Sequence, residues 1–459
     1  MKKILLFLVI FLALIIFFLP SFFNTSYGKN ILLSMVEKKT NSSIQIEKFH
    51  LSWTGPQSFI NVQIDHKNFD FNAKSLLIEN PLIKTITADN LQKSLLLKMS
   101  LENGSFISKH PNFPTVKIDQ MQAKVSQKDK TIQSSFQGNT KIHQTKGSFD
   151  FSYIQKDKTQ SFSFEGKKLP TNLFDLLLKK QLSNSTILME DLLGTIISDL
   201  EINLTMDDKK APLSVNVTSN NVLINAKGQI DQNNFSLTSP ASIRITPSND
   251  FIKKVLVPIN SHLEDIIRFQ NPVYLTIYDL KAPLSNHFLE KMEIKRGILE
   301  IGKVDVSIDP FINALLTFLQ QAPLSNTTVW VAPFDFNIDH SKISIKRADI
   351  LIDKMIHICT WGNIDKESQK LDMKLAILSS TLNNLFGMKL PPSVSLQIPI
   401  KGTYKEPKAS IKKASKTLGT LLAMQALGQD SLINKIVSQI IIENEKSPLP
   451  AQKRKLPWE

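Results

Sequence analysis

Leu371-Asp372-Met373-Lys374-Leu375-Ala376-Ile377 places an apolar side chain at every odd position, with charged residues at Asp372 and Lys374 between them. Successive side chains of an extended chain point to opposite faces, so this stretch reads as a strand with one dry face and one wet face. Val394, Leu396, Ile398 and Ile400 repeat the pattern. So do Ile60/Val62/Ile64, Phe149/Phe151/Tyr153, Leu200/Ile202/Leu204/Met206, Val304/Val306/Ile308 and Phe334/Phe336/Ile338. One-faced strands belong to antiparallel sheets. Polar breaks separate them at Glu102-Asn103-Gly104, Ser219-Asn220-Asn221 and Asp231-Gln232-Asn233-Asn234. The expected body is therefore mainly β, a long antiparallel sheet of many short strands.

Four segments leave this rhythm, and spacings of three and four residues predict flanking amphipathic helices there. They are 28–39; 169–197, with Leu173, Phe174, Leu177, Leu178, Leu188, Leu192, Leu193, Ile196 and Ile197; 249–268, interrupted by Pro258; and 309–320, which opens Asp309-Pro310. A further helix is expected over 411–442, with one apolar stripe through Ile411, Ala414, Leu418, Leu421 and Leu422 and on through Leu432 to Ile441. Lys408, Lys412, Lys413 and Lys416 crowd its start. It suits either a cap on the open end of the sheet or a basic membrane-surface helix. Ala-Pro-Leu-Ser recurs at 211–214, 282–285 and 322–325, at unequal spacing.

The N-terminus sets the expected compartment. Lys2 and Lys3 precede an apolar run from Ile4 to Leu19, which Phe22 and Phe23 extend past Pro20-Ser21. Twenty helical residues cover roughly 30 Å, one hydrocarbon core. The run is long for a signal peptide, and no small-x-small cleavage site follows it. An uncleaved single-pass anchor with Lys2 and Lys3 in the cytoplasm is expected, with the body on the far side. The expected divisions are an anchor at 1–23, β regions at 24–165, 166–330 (with helices) and 331–410, the helix at 411–442 and a mobile tail at 443–459.

The chain has 459 residues, with 55 Lys and Arg against 41 Asp and Glu, a net charge of +14. That excess is dispersed, which disfavours nucleic acid and fits a mild field near anionic headgroups. The single cysteine, Cys359, excludes an intramolecular disulfide framework. Eight Asn-x-Ser/Thr triplets occur, as an Asn-, Ser- and Thr-rich chain generates by chance, and the lack of disulfides points to a bacterial envelope protein. Gly297-Ile298-Leu299-Glu300-Ile301-Gly302-Lys303-Val304 approaches a phosphate-binding loop, but Val304 stands where a magnesium-binding hydroxyl is required. No Gly-x-Ser-x-Gly elbow and no zinc-spaced histidine pair occur. His357 and Cys359, two apart, read as packing residues. No catalytic, metal or cofactor residues are therefore assigned, and the protein is not expected to be an enzyme.

Ser43-Ile44-Gln45-Ile46-Glu47-Lys48-Phe49-His50-Leu51-Ser52-Trp53 follows the anchor at once. Near the other end stand Asp335-Phe336-Asn337-Ile338, Ser341 to Ile345, Ile350-Leu351-Ile352, Trp361 to Asp365 and the closing Gly402-Thr403-Tyr404-Lys405-Glu406-Pro407. With the anchor, these stretches resemble the AsmA-like/TamB-like group of bacterial envelope proteins over roughly residues 1–60 and 330–440. The chain reads Asp339-His340 where the family often has an Asp-Gly turn. The resemblance implies a twisted sheet folded into a taco-like groove with an apolar lining, an inner-membrane anchor and a periplasmic body. It implies lipid binding or movement between inner and outer membranes, or support of outer-membrane biogenesis, with membrane lipids and outer-membrane assembly or lipid-export proteins as partners. Candidate groove residues are Ile60, Val62, Ile64, Leu371, Met373, Leu375, Ile377, Val394, Leu396 and Ile398. The competing reading is a structural scaffold for outer-membrane proteins whose apolar faces close into a core.

Overall fold

The structure is a computed structural model and describes residues 18–459 apart from 83–97, 110–116, 129–130, 143–144, 175–187, 208–209, 232, 260, 285–290, 308–312, 314–315, 323–325, 404–405, 427–429 and 446–447. The chain forms two compact units, Met1–Ser183 with Thr195–Ser219, and Asn184–Gly194 with Asn220–Glu459. Both are built on antiparallel sheet.

The first unit is a ten-strand meander: β1 (Ser42–His50), β2 (Gln57–His66), β3 (Phe69–Ile78), β4 (Met99–Ser108), β5 (Lys117–Lys128), β6 (Thr131–Ile142), β7 (Thr145–Lys156), β8 (Thr159–Pro170), β9 (Ile196–Met206) and β10 (Ala211–Ser219). Each strand pairs with the next in chain order. Helix α1 (Ser26–Thr40) precedes it, with Thr25 as N-cap and Asn41, at φ 56°, as left-handed C-cap. The helix shields the edge of β1. Lys29 Nζ donates to Ile46 O at 2.9 Å, and Ile44 N–H donates to Glu37 Oε1 at 2.6 Å. Asn24 imitates a neighbouring strand: its amide donates to Leu51 O at 2.8 Å and its carbonyl accepts from Leu51 N–H at 2.6 Å. An edge whose backbone groups are occupied no longer templates a further strand.

Strict alternation does not survive along these strands. On β2 the inward side chains are Gln57 and Phe59, then Val62, Ile64 and His66, a slip of one residue. The slip falls at Asn61, whose φ is 53°. A single left-handed residue turns the chain so that the next side chain leaves on the face its predecessor would have used. Asn103 (φ 49°) on β4, Gln120 (φ 53°) on β5 and Lys168 (φ 52°) on β8 do the same. Asparagine tolerates this conformation best among residues with a Cβ.

The second unit contains β11 (Val222–Asp231), β12 (Asn234–Leu237), β13 (Ala241–Ile245), β14 (Ile266–Phe269), β15 (Val273–Pro283), β16 (Glu293–Glu300), β17 (Gly302–Ser307), β18 (Asn326–Val331), β19 (Phe334–Asp339), β20 (Lys342–Ile352), β21 (Ile356–Asp365), β22 (Lys370–Leu378), β23 (Ser395–Thr403) and β24 (Pro407–Ala409). Its strands are broken rather than kinked. The first half of β20 pairs with β19 and the second half with β18. In turn β19 pairs with β16 and β18 with β17, and these pair with β15 and β14. Two breaks fall at Asn271-Pro272 and Ala332-Pro333, where proline has no N–H for the ladder, and the third at Ile301, before Gly302 at φ 75°.

Helices close the C-terminal end of this unit. α2 (Met189–Leu193) is short; α3 (Ser379–Phe386), α4 (Lys412–Ala426) and α5 (Asp430–Glu445) follow β22 and β24. Ala414, Leu418, Leu421, Val437 and Ile440 pack with Leu382, Ile358, Leu375, Ile377, Leu396 and Ile398 into the largest core. Residues 448–459, expected as a mobile tail, make specific contacts instead. Arg347 Nη1 donates to Pro450 O at 2.7 Å, Arg454 pairs with Asp335 at 2.7 Å, and the Trp458 ring lies 5.6 Å from Trp330 and 5.3 Å from His357.

Several expected helices are corrected. Over 169–197 the described residues form a 3-10 turn at Thr171–Phe174 and the short α2, and Ile196 and Ile197 begin β9 because Gly194, at φ 81°, ends the helix. Over 249–268 the expected helix is found in pieces, helical over 249–259 and 3-10 over Ser261–Asp265, while Ile266 and Ile267 enter β14 opposite β17. Of 309–320, the residues 308–312 and 314–315 lie outside the described ones, and 316–318 are helical. The expected 411–442 helix is two helices, α4 and α5. Among the described residues no helix is long and apolar enough to cross a membrane. The expected anchor, 4–23, falls mainly on residues 1–17, outside the described ones, and 18–23 are helical.

Glycines sit where a side chain would collide with its neighbours. A Cβ on Gly166 would fall 2.9 Å from Leu169 Cγ and 3.3 Å from the Phe164 ring, whereas a Cβ on Gly419 of α4 would meet nothing within 4 Å. Gly166→Val should lower the unfolding free energy by about 1–3 kcal/mol. Gly419→Ala should raise it by about 0.5–1 kcal/mol through helix propensity. Urea unfolding midpoints of the two variants check both signs.

Candidate functional site

Cross-strand register assembles the inward side chains of the first unit into continuous rows. One row runs Phe49–Phe59–Leu76–Leu101–Ala123–Phe136–Phe151–Phe164–Ile202–Val215 across all ten strands. Beside it runs Ile46–Val62–Ala73–Gly104–Met121, continued by Gly138–Phe149–Gly166–Leu200–Val217. A third row, on the other side of the first, is Ile78–Met99–Val125–Ser134–Tyr153–Phe162–Leu204–Leu213. Ile44, Ile64, Phe71, Phe106 and Ile118 begin a fourth. The rows stay apolar because the left-handed residues shift the alternation at the right place on each strand.

The row of small residues is the floor. Val62, Ala73, Met121, Leu200 and Val217 are buried, as are Gly104, Gly138 and Gly166. Larger neighbours close over them: a Cβ on Gly104 would lie 2.7 Å from Leu101 Cδ2. The phenylalanine row beside the floor is different. Every one of its ten residues is only half-buried. Ring contacts occur within and between the rows, with centroids 5.2 Å apart for Phe49–Phe59 in this row, 5.2 Å for Phe136 and Phe149 of the floor row, and 4.7 Å for Tyr153–Phe162 in the third. Aromatic rings in offset or edge contact hold one another in place without needing a covering layer. Among the described elements, α1 lies against β1 and no helix packs extensively on β2 to β10.

The opposite face of the same strands is polar. Gln122, Gln137, Asp150, Glu165 and Glu201 succeed one another across β5 to β9, all exposed. They bond among themselves, as in Gln137 Nε2 to Gln122 Oε1 at 2.8 Å and Asn216 Nδ2 to Glu201 Oε2 at 3.1 Å. That face is solvated and self-satisfied.

At strand spacings of about 4.8 Å and residue-pair spacings of about 6.8 Å, the apolar face measures roughly 43 by 20 Å, on the order of 900 Å².

The sequence-predicted groove residues separate into four groups. Val62 and Ile64 lie on this face. Ile60, 36% exposed, lies in the polar row Lys48–Ile60–Ser75–Glu102, and Phe59 takes the apolar place. Leu371 and Met373 lie in second-unit rows, Met373 in the one running Phe336–Ile345–Gly362–Met373–Ile400. Leu375, Ile377, Val394, Leu396 and Ile398 are sealed in the C-terminal core. The residues that alternation missed are Phe49, Phe136, Phe162 and Phe164; Phe151 was read as a strand residue but not as part of the groove. The phenylalanine-rich run Phe149 to Phe164 was their visible signal.

Polar clusters elsewhere do other work. Asp349, 6% exposed, accepts two hydrogen bonds from Arg347, at 2.8 Å each, and lies 3.0 Å from His357 Nε2. Burial alone would raise its pKa, but the bonds from His357 and Arg347 outweigh it and hold the carboxyl below its ordinary value. Burial pushes the neighbouring Cys359 thiol up to about 12, so this cysteine is an inert packing residue. Glu293, Asp339 and His340 are the one group among the described residues with metal-ligating atoms close together. The imidazole already bridges the carboxylates, Nδ1 to Asp339 at 2.8 Å and Nε2 to Glu293 at 3.3 Å. The hydrogen bond to Asp339 chiefly raises its pKa and favours the protonated bridge over a metal. His340 itself, at φ 51°, adopts the conformation for which a turn glycine is usually used.

No protein-family model, curated protein or solved structure matches the chain.

Asp349→Asn removes one partner of a buried ion pair and should cost about 3–5 kcal/mol. A depressed carboxyl contributes stability that is complete above its unfolded pKa of about 3.9 and is lost as pH falls through the folded value. Urea unfolding between neutral pH and pH ~3 should show this acid loss in the unaltered protein and a smaller loss in the variant.

Proposed function

We propose that the protein is a non-enzymatic, membrane-anchored envelope protein of AsmA-like type that binds lipid acyl chains along the open face of its first unit. One observation carries this reading. Ten strands present registered apolar rows whose phenylalanine row stays half-exposed along its whole length, with no described helix packed over it. Water contact costs an acyl chain about 0.8 kcal/mol per methylene, so a continuous apolar lining is the physical requirement for holding or moving one outside a bilayer. No reacting group is needed, and any residue of the phenylalanine row can be replaced by another apolar one with small effect on lipid binding.

The Ile4–Leu19 run anchors the chain in the inner membrane, and the body is periplasmic. Lipid then enters the face from the donor membrane, and lipid-export or outer-membrane assembly proteins are the partners in the envelope. The sealed core beneath α4 and α5 favours a structural role for the C-terminal end, as in the scaffold reading, while the first unit does the binding.

Photo-crosslinking in intact membranes distinguishes the two readings. A benzophenone side chain at Phe151 projects from the apolar face, and one at Asp150, the next residue, projects from the polar face. Lipid adducts at position 151, with several-fold fewer at 150, are the expected result. Adducts at 151 only with protein would transfer this face to the scaffold reading.

A further inference from the structure

α1 has two sides of opposite character. Its sheet-facing side is fixed by Lys29 and Glu37, which bond the backbone of β1 at Ile46 and Ile44. A helix turns about 100° per residue, so Lys29, Leu33 and Glu37 share that side, and Tyr27, Ile31, Met35 and Lys38 lie away from it. The outer stripe is mostly apolar and open at both ends: Tyr27 is 71% exposed and Met35 64%, with Ile31 half-buried between them. In the turns before α1, Phe18 and Phe22 are 57% and 43% exposed, and they continue the apolar run from Ile4. Lys38 and Lys39 end the helix.

We infer that α1 lies on the surface of the bilayer that its preceding apolar run enters, with the Tyr27–Ile31–Met35 stripe at the boundary between headgroups and acyl chains and β1 held on its opposite side. An aromatic and aliphatic stripe ending in lysines is the composition of an interfacial helix. Where the chain goes next selects the occupant: the stripe follows directly on the apolar run, so the nearest apolar phase is that bilayer. Charge selects it again. Lys38 lies on the stripe and Lys39 beside it, where anionic headgroups attract both. A second copy of α1 packed in parallel, stripe to stripe, would bring the lysines of both copies together. The arrangement sets β1, the first strand of the apolar face, beside the lipid surface.

This inference rests on the anchor reading, and the test separates the two. The full chain is placed in vesicles of phosphatidylethanolamine and phosphatidylglycerol, with a nitroxide on Met35→Cys, Ile10→Cys or Lys67→Cys. Native Cys359, buried and with a raised pKa, stays unlabelled. Collision with oxygen and with a water-soluble nickel chelate reports depth. The label at 35 is expected at headgroup depth, the one at 10 in the hydrocarbon and the one at 67, in the β2–β3 turn, in water. A label at 35 in water, with 10 in the hydrocarbon, overturns the interfacial helix and leaves the anchor. Labels at both 10 and 35 in water overturn the anchor reading, and the interfacial helix with it. Spin–spin broadening between labels at 35 would assign the stripe to a second copy and overturn the lipid surface.

Discussion

Everything in the first unit depends on cross-strand register, and register depends on four left-handed residues. A β-strand sends alternate side chains to opposite faces, so a one-residue slip exchanges dry and wet faces. Ten strands keep their apolar rows aligned only if every slip in the sequence pattern meets a compensating turn of the backbone. Asn61, Asn103, Gln120 and Lys168 supply four of these turns. Their effect is cumulative: Phe49 to Val215 form one row because each strand corrects its own phase. Backbone hydrogen bonds hold the row.

The two units solve the same problem of bending a long sheet by different means. In the first, single residues change conformation within continuous strands. In the second, the strands are interrupted at Asn271-Pro272, Ile301 and Ala332-Pro333, and β20 spans the break as one long strand. The outcomes differ as well. Among the described residues no helix packs extensively on the apolar face of the first unit, and the end of the second is sealed by α4 and α5. Sealing an apolar face contributes stability, and leaving one open costs it.

The β class, the antiparallel pairing and most strand positions were legible in the alternation, because a two-residue period has one structural meaning when charges fill the gaps. Which face each residue joins was less legible. Ile60, Val62 and Ile64 look equivalent in sequence, yet a positive φ at Asn61 puts Ile60 on the wet face. The slip itself, Phe59 then Val62, with an asparagine between, was the readable sign. Leu375, Ile377, Leu396 and Ile398 form correct apolar strand faces, but alternation does not reveal what covers a face. Their cover came from the amphipathic stripe after residue 411, which was visible as a helix and as a cap. Ile196, Ile197, Ile266 and Ile267 read as helical because isoleucines spaced by three and four also fit the ends of short buried strands. The Asp349–Arg347–His357 cluster was not legible: it is joined across a hairpin, and no local spacing announces it.

The central claim is that the open face of the first unit holds acyl chains. Its most direct test is mass spectrometry of the lipid carried by the body after residue 17, produced and purified without detergent. The account predicts phospholipid or glycolipid in stoichiometric amount. A lipid-free, monodisperse protein would contradict it.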